Sequence, residues 1–291
     1  MFDAPQRVQV ALQLPDYVPV VAEIGINHNG DKEVAIDMIR QAAEAGADYV
    51  KFQTRNVDSV YSNDFLNSPR ESPWGTTQRD QKEALEFGLD TYMELKSVAK
   101  EVGVELTSSA WDLESLNLVE SLDPPFHKVP SALMTNESFL QEIASLKRPV
   151  VASTGMLSER QLDKAVEILS AGDYPLTLMH TVSVYPCPEE NLNLMAIPLI
   201  MERTGLPVGY SGHEPSLSPS IMALALGASI LERHVTLSRS MYGSDQAASL
   251  EMRGLRDLVG AARKWPSVRG DGVKRMMPGE EEVARKLRYW E

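Results

Sequence analysis

Short apolar runs alternate with longer helical patterns from about residue 18 onward, and this alternation constrains the fold more than any other feature. Most runs are almost continuously apolar in their first half, as expected for strands covered on both faces. The runs are VPVVAEIG, DYVKFQT, VELTSSA, FHKVPS, PVVAST, LTLMHTV, LPVGYSG and ILERHVTL. Eight strand–helix repeats in roughly 250 residues predict an α/β fold, a (β/α)8 TIM barrel. A doubly wound open sheet is the main alternative, but EIGINHNG lacks its GxGxxG phosphate turn.

Helical patterns fill the segments between these runs. They include Asp31–Ala45, Leu89–Val102, Glu159–Ser170 and Ser218–Leu226. Gly46, Gly103 and Gly227 follow three of them, at the position where a left-handed glycine often ends a helix. These glycines therefore predict where the helices end.

Three segments lie outside the strand–helix rhythm. The predicted organisation is an N-terminal extension over residues 1–17, a barrel over 18–265 and a helical tail over 266–291. Within the extension, the alternating residues 7–14 predict a short strand or hairpin at the bottom of the barrel. Residues 55–88 are predicted as a long polar loop after the second strand, and loops of that length are commonly functional or disordered. The tail ends in an amphipathic stretch over 280–290.

Charge and composition narrow the classes of partner. A net charge of −13 argues against nucleic acid or an anionic membrane as partner, because both require a basic face. A small anionic ligand remains compatible, since a few local lysines are enough to hold it. No apolar run reaches membrane-spanning length, and the N-terminus lacks the pattern of a signal peptide. With its single cysteine, Cys187, the chain is expected to be cytoplasmic and free of internal disulfides.

Two histidines follow neighbouring strands near the end of the barrel pattern. His213 comes after the seventh run and His234 lies in the eighth, with the acids Glu232 and Asp245 nearby. The carboxyl ends of parallel strands are where barrel enzymes carry out their chemistry. The pair is therefore a candidate site for a divalent metal, although a single histidine is more often a satisfied hydrogen-bonding group.

The remaining strands also carry polar side chains at or just after their carboxyl ends. These residues are Glu23, Asn27, His28, Lys51, Gln53, Ser108, Ser109, Lys128, Ser131, Ser153, Thr154, His180, Ser183, Tyr185 and Ser211. A lysine is costly to bury unless it meets an anion, so Lys51 and Lys128 with the hydroxyls suit a phosphate or carboxylate ligand. Either lysine could instead pair with a barrel glutamate. The residue types indicate a barrel enzyme with an anionic substrate and a candidate metal.

The order of the strand-end segments resembles the sialic acid synthases, the N-acetylneuraminate synthase or NeuB-like family. The segments are AEIGINHNG, VKFQT, SSAWD, KVPS with TN, STGM, LMHTVSVYPCPEENLNL, GYSGHE and ERHVTL with GSDQAASLE. The resemblance covers residues 20–290. It implies a transferase that condenses phosphoenolpyruvate with an open-chain aldehyde sugar, typically N-acetylmannosamine, and releases phosphate. Its product is a 3-deoxy-2-keto sugar acid. It also implies a divalent ion, Mn²⁺ with Mg²⁺ or Co²⁺ as alternatives, and a homodimer is expected.

The same resemblance implies a role for each matching residue. His213 and His234 are the metal ligands, and Glu23 lies beside the metal and the reacting carbons. The groups that hold phosphoenolpyruvate are Lys51, Ser109, Lys128, Ser131, Ser153 and Ser211, with Gln53 nearby. The residues that face the aldehyde sugar are Ser183, Tyr185 and Asp245.

Four departures from the family pattern concern the acceptor side. Leu133 stands where the family usually has an acid, Ser183 replaces an asparagine, and Asp245–Gln246 replaces an Asp-His pair. The chain ends at Glu291, near the start of the linker to the family's antifreeze-like domain, so the arginine contact from that domain is expected to be absent in cis. These departures predict a changed acceptor aldehyde.

Two other functions remain compatible with the sequence. A non-catalytic homologue could retain the phosphoenolpyruvate or anion site without turnover, in keeping with Leu133. A Schiff-base aldolase would use Lys128 or Lys51 as the nucleophile towards a keto acid. That second reading leaves the serines and the histidine pair without a role.

Overall fold

Eight parallel strands form a closed barrel in the computed structural model, which describes residues 16–290. The strands are β1 (Val20–Gly25), β2 (Tyr49–Thr54), β3 (Glu105–Ala110), β4 (His127–Val129), β5 (Val150–Ser153), β6 (Leu176–His180), β7 (Val208–Gly212) and β8 (Leu231–Thr236). Each pairs in parallel with the next, and β8 pairs back onto β1 with Leu231 opposite Val20. The predicted (β/α)8 barrel is confirmed.

Helices follow the strands around the outside of the barrel. They are α1 (Lys32–Glu44), α2 (Leu89–Val102), α3 (Leu113–Ser121), α4 (Glu137–Ser145), α5 (Glu159–Leu169), α6 (Ala196–Thr204), α7 (Ser218–Ala225) and α8 (Met252–Arg269). Helix α1 begins where the Asp31 side chain accepts hydrogen bonds from the Glu33 and Val34 backbone. Gly46, Gly103 and Gly227 all have positive φ, as predicted for residues that end helices.

Side chains alternate between the two faces of each strand, and this alternation separates two hydrophobic layers. On β1, Val20 and Ala22 pack outward in the large cluster shared with the helices. The inward face contributes a smaller cluster that fills the lower half of the barrel. Its members are Val21, Phe126, Val151, Met179 and Ile230, with Tyr49 packed against them. The barrel interior is therefore filled by apolar side chains in the amino-terminal half of the strands, and polar side chains lie at the carboxyl ends.

Residues 55–88 form a structured insertion, contrary to the predicted polar loop. Its elements are the short helices Val57–Val60, Asn63–Leu66 and Gln78–Ala84 and the antiparallel hairpin of Pro69–Ser72 with Gly75–Thr77. The last helix begins with a capping box between Thr77 and Asp80. Local capping and turn residues explain this order, because the sequence pattern showed only polarity and no apolar period. Hereafter this segment is called the β2 insertion.

The N-terminal and C-terminal segments differ from the barrel. The predicted strand over residues 7–14 lies outside the described residues. Helix α8 continues through Pro266 to Arg269, so the predicted division after residue 265 falls inside this helix. The amphipathic stretch near the end forms a helix at Glu280–Leu287 with no buried residue. Between residues 16 and 290, no helix is both long and apolar enough to cross a membrane.

Gly30 lies where the loop after β1 closely approaches the backbone of the β2 insertion. Replacing it by alanine is expected to destabilise the protein. Its φ is +71°, and an added Cβ would lie 2.0 Å from the backbone oxygen of Ala84. Gly205 is a matched control, because its φ is +69° and no atom lies within 4 Å of its Cβ position. Gly205→Ala should cost only the backbone term, about 1–2 kcal/mol. Gly30→Ala should cost clearly more in the free energy of unfolding, measured in urea. Equal costs would show that the insertion moves freely to accommodate the methyl group.

Candidate active site

The strand alternation also places the candidate functional side chains. The inward positions are apolar in the first half of a strand and polar two residues later, as in Val21 then Glu23, or Val151 then Ser153. The resulting cavity of about 210 Å³ opens at the carboxyl ends of the strands. Among its lining residues are Glu23, Lys51, Gln53, Ser109, Lys128, Ser131, Ser153, Ser183, Tyr185, Ser211, Glu232, His213 and His234. Of the residues predicted to form the site, all but Asp245 line this cavity.

Two buried lysines lie on the floor of the cavity, each held by a hydroxyl group. Lys51 Nζ lies 2.7 Å from Glu23 Oε2 and donates to Ser109 Oγ at 2.9 Å. Lys128 Nζ donates to Ser153 Oγ at 2.6 Å. Both ammonium groups are almost inaccessible to solvent within the protein, yet both face the cavity. They are placed to receive an anion.

Glu232 was noted in the sequence only as an acid near the histidines, and the structure gives it a larger role. Its carboxylate lies between the two lysines, 3.9 Å from Lys51 Nζ and 3.8 Å from Lys128 Nζ. Ser211 donates to it at 3.0 Å. The signal was present, because Glu232 precedes His234 by two residues and so shares the inward face of β8.

Burial and neighbouring charges together set the pKa values of Lys128 and Glu232. Burial lowers the pKa of Lys128 to about 8, against the opposing effect of the Glu232 carboxylate. Burial alone would raise the pKa of Glu232, but Lys128 and Lys51 outweigh it and hold that pKa below its usual range. At neutral pH Lys128 is therefore mostly an ammonium group, and Glu232 is a carboxylate.

Glu23 is held from two sides. Besides Lys51, its carboxylate accepts a hydrogen bond from Gln53 Nε2 at 2.8 Å. Arg55 donates to the amide oxygen of Gln53 and pairs with Glu86 at 3.2 Å. Arg55 thereby fixes which end of the Gln53 amide faces Glu23. This support, supplied by the start of the β2 insertion, was missed in the sequence.

The two histidines lie side by side on the opposite wall, with ring centroids 5.4 Å apart. His213 Nδ1 lies 2.9 Å from the carbonyl oxygen of Val182. A carbonyl can only accept, so Nδ1 carries the proton and Nε2 keeps a free lone pair. Burial, with help from His234, lowers the pKa of His213 to about 3, so its imidazole is neutral.

His234 has a buried Nδ1 with no hydrogen-bond partner among residues 16–290. Asp245 Oδ2 is 3.7 Å from that nitrogen, which is beyond hydrogen-bond distance. The neutral imidazole of His213 and the unpartnered Nδ1 of His234 fit a divalent metal. No group of three or more His, Cys, Asp or Glu side chains with metal-site spacing occurs in the described part of the chain. A metal bound here would take its remaining ligands from substrate or water.

Two of the residues predicted to face a sugar, Ser183 and Tyr185, lie nearer the mouth. The Tyr185 ring packs 4.1 Å from His213 and 5.8 Å from His234, measured between centroids, and Tyr185 is still 46% exposed. Ser183 Oγ lies beside Gly155, where an added Cβ would approach it to 2.5 Å. The mouth is thus formed by one aromatic ring, hydroxyls and the histidine wall.

Several polar strand-end residues are structural instead. His28 stacks on Phe87 at 4.3 Å, and burial lowers its pKa to about 4. His180 contacts the Leu192 carbonyl oxygen at 2.8 Å. Leu133 is half-buried against the core, whereas the preceding Ser131 and Ala132 line the cavity. The family's acid at this position therefore corresponds here to a packing residue.

Comparisons with known proteins identify relatives of this chain. A family model described as the NeuB family matches residues 38–274. The N-acetylneuraminate-9-phosphate synthases of Homo sapiens and Mus musculus are each 38% identical over 271 residues, covering 92% of this chain and 76% of theirs. The N,N'-diacetyllegionaminic acid synthase of Campylobacter jejuni is 35% identical, covering 90% of this chain and 80% of its own.

A solved structure shows the same architecture. The N-acetylneuraminic acid synthetase of Leptospira borgpetersenii, in complex with citrate, superposes with a TM-score of 0.82 at 28% identity. The match covers 94% of this chain and 93% of that one. The barrel fold is therefore shared with that protein.

Proposed function

This chain belongs to the NeuB family, and we propose that it condenses phosphoenolpyruvate with an open-chain sugar aldehyde, giving a 3-deoxy-2-keto sugar acid and phosphate. It is a transferase of the synthase type. The observation that carries the proposal is the pair of buried lysines facing two histidine side chains across one cavity. One wall suits a small polyanion and the other suits the oxygen of an aldehyde.

In this proposal, phosphoenolpyruvate binds at the floor of the cavity, where the two buried lysines lie. Its phosphate and carboxylate require cations and hydroxyl donors in a site that excludes water. Lys51 and Lys128 supply the cations. The hydroxyl donors are Ser109, Ser131, Ser153 and Ser211. Because both lysines are held by serines, they are oriented before the anion arrives, and little reorganisation is needed.

The aldehyde enters from the mouth, past Ser183 and Tyr185, with Asp245 behind His234. We propose a divalent ion, Mn²⁺ with Mg²⁺ or Co²⁺ as alternatives, held by His213 and His234. When bound, such an ion supplies Lewis-acid polarisation of the aldehyde oxygen. The neutral state of His213 and the free Nδ1 of His234 support this assignment.

The chain's own residues account for the remaining steps. The C2–C3 double bond of phosphoenolpyruvate opens as C3 forms a bond to the aldehyde carbon, and water adds at C2. Glu23, held by Lys51 and Gln53, orients that water and accepts one of its protons. The former aldehyde oxygen takes up a proton from solvent and becomes a hydroxyl. The C2 hydroxyl then loses its proton as the C2–O bond to phosphate breaks, and Lys51 and Lys128 hold the charge of the leaving phosphate. The product is the 2-keto acid.

The affinity for phosphoenolpyruvate is expected to fall as the pH rises above 8. Lys128 has a pKa of about 8 in the free protein, and binding a polyanion favours its charged form. Above pH 8 binding must therefore take up a proton, and Kd should rise by up to about tenfold per pH unit. Calorimetric titration between pH 7 and 9.5 measures this slope. Lys128→Met should flatten it, and an unchanged slope in that variant would assign the titration to another group.

Phosphate release tests the proposal directly. Release from phosphoenolpyruvate should require both an aldose and a divalent metal. With ¹⁸O in the bridging position, the label should leave in the phosphate, because the C–O bond breaks. No release with any aldose in the presence of Mn²⁺, Co²⁺ or Mg²⁺ would contradict the proposal. Thermal stabilisation by phosphoenolpyruvate without turnover would instead favour the non-catalytic homologue.

The lowered pKa of Lys128 also favours a second candidate, a Schiff-base aldolase. In that reaction the neutral amine would attack a keto acid. Borohydride reduction in the presence of pyruvate would then leave a covalent adduct on Lys128. The synthase proposal expects no adduct, because Lys128 acts as a cation held by Ser153.

We further propose that the protein acts in the cytoplasm as a homodimer. The single cysteine and the use of phosphoenolpyruvate support the location. Exposed apolar side chains on neighbouring helices support self-association, among them Leu199 on α6 and Met222 on α7. Light scattering that gives the mass of one chain would contradict the dimer.

A further inference from the structure

A second cavity lies beside the candidate active site, between helices α5 and α6 near the carboxyl ends of β5 and β6. Its volume is about 610 Å³, against about 210 Å³ for the cavity already described. The residues assigned above to phosphoenolpyruvate and to the metal are not among those that line it. Cavities of this size with largely apolar linings are where proteins bind small molecules. We call this cavity the α5–α6 pocket.

The lining of the α5–α6 pocket suits an uncharged, largely apolar group. Its apolar side chains come from both helices and from the loop before α5: Leu157, Leu162, Ala196, Leu199 and Ile200. Arg203 also lines the pocket, but it is paired with Glu159 at 2.9 Å and with Asp163 at 2.7 Å. Burial lowers the pKa of His180 on the same wall, so its imidazole is neutral at neutral pH. A phosphate or carboxylate would therefore meet no unpaired cation among the described residues of this lining.

The α5–α6 pocket adjoins the candidate active site at one flexible side chain. Met156 and Thr181 line both cavities. Met156 is 65% exposed and has a φ of +62°, in the left-handed region that non-glycine residues seldom adopt. Backbone strain of this kind is found mainly at functional sites, and methionine adapts its shape more readily than branched side chains do. A change in the Met156 rotamer would join the two cavities.

The shared wall lies on the side of the active site that is proposed to receive the sugar. Thr181 Oγ1 lies 3.3 Å from His213 Nδ1. Gly155 also lines the pocket, and a Cβ added to it would lie 2.5 Å from Ser183 Oγ, a group proposed to face the aldehyde sugar. Glycine, serine and threonine are small, so Met156 is the one large side chain among these four wall residues. The acceptor and the pocket are thus separated mainly by Met156.

We propose that the α5–α6 pocket receives an apolar substituent of the acceptor, an acyl chain longer than acetyl, so that the acceptor is a sugar aldehyde carrying an extended acyl group. This inference rests on the proposed function. The aldehyde carbon must reach C3 of phosphoenolpyruvate beside the histidine wall. A substituent on the neighbouring sugar carbon then lies near Ser183 and enters the pocket when Met156 turns aside. Burial of each methylene group there removes apolar surface from water and strengthens binding.

A binding series tests the pocket without requiring turnover. The probes are N-acetyl-, N-butanoyl- and N-hexanoylmannosamine, each reduced to its sugar alcohol so that it cannot react. They are titrated calorimetrically into protein saturated with phosphoenolpyruvate and Mn²⁺. Affinity should rise with chain length, by about tenfold or more from acetyl to hexanoyl. An affinity independent of chain length would overturn the inference and leave this groove, with Leu199, to contact between two copies of the chain.

Variants that fill the pocket show where the chain binds. Ala196→Phe adds a ring on the pocket wall and should reduce the hexanoyl-to-acetyl affinity ratio to about one. Leu199→Trp fills the same space from a 54% exposed position, and it serves if Ala196→Phe does not fold by circular dichroism. Met195→Phe is the matched control, because Met195 precedes Ala196, is 59% exposed and is not among the lining residues. It should leave the ratio unchanged. A ratio that stays high in the filled variants would overturn the inference, because the chain would then lie elsewhere.

Turnover separates this inference from the proposed function. With the unreduced sugars as acceptors, the ratio of kcat/KM for the hexanoyl and acetyl compounds should exceed one and fall in the filled variants. A dependence of binding on chain length without phosphate release supports the pocket and contradicts the proposed function alone. Phosphate release with binding that ignores chain length contradicts the pocket alone.

Discussion

Lys128→Met is expected to lower kcat/KM for phosphate release from phosphoenolpyruvate by roughly 10²–10³-fold, the usual cost of losing one preorganised charge-stabilising group. Lys128 is almost fully buried, faces the cavity and is held by Ser153 at 2.6 Å. Methionine keeps much of the volume but cannot balance the developing charge of the leaving phosphate. The loss should appear in both kcat and KM, because the cation contacts the substrate as well as the transition state.

Two measurements make the result specific to the site. Lys164→Met removes an exposed lysine that pairs with Glu167 on α5, and it should leave kcat/KM unchanged. Circular dichroism should show that both variants are folded. Activity of Lys128→Met within a factor of three of the parent protein would remove this lysine from the proposed mechanism.

Arg233→Met is expected to lower the free energy of unfolding by about 3–5 kcal/mol, as typical for breaking a fully buried ion pair. Arg233 Nη1 lies 3.0 Å from Glu214 Oε1, and both side chains are 0% exposed. Tyr210 also donates to Glu214, at 2.9 Å. Without Arg233, the Glu214 carboxylate would remain buried without a cation.

This pair also explains how the two histidines are held. Glu214 follows His213 in the chain and Arg233 precedes His234, so the pair links the two wall residues from behind. Arg233 additionally donates to the Ser216 carbonyl oxygen at 2.8 Å, which ties the loop after β7 to β8. We therefore expect the proposed divalent metal ion to bind His213 and His234 more weakly in Arg233→Met.

Urea denaturation measures the effect, with two comparisons. Arg203→Met removes a 39% exposed arginine paired with Asp163 and should cost less than about 1 kcal/mol. The double variant Arg233→Met/Glu214→Gln removes both charges and should recover a large part of the loss. A double variant as unstable as Arg233→Met would assign the cost to packing instead of charge.

Much of the barrel and its site could be predicted because period-two alternation is a local property. Lys51, Lys128, Ser153 and His234 all sit at inward positions that the strand runs specify. The prediction failed where local pattern is weak. The β2 insertion showed only polarity, and its hairpin depends on capping and on packing against Tyr242, far away in sequence.

By itself, the sequence determined the eight strand–helix units, the face on which each polar side chain lies, and the family. Only the tertiary structure decided which of those side chains meet. Closure of the barrel pairs β1 with β8, so Glu23 lies opposite His234. It also places Glu232 between two lysines from other strands. The physical reason is that alternation fixes the direction of a side chain relative to its own strand. The distances between strands are set by hydrogen-bond register around the closed sheet.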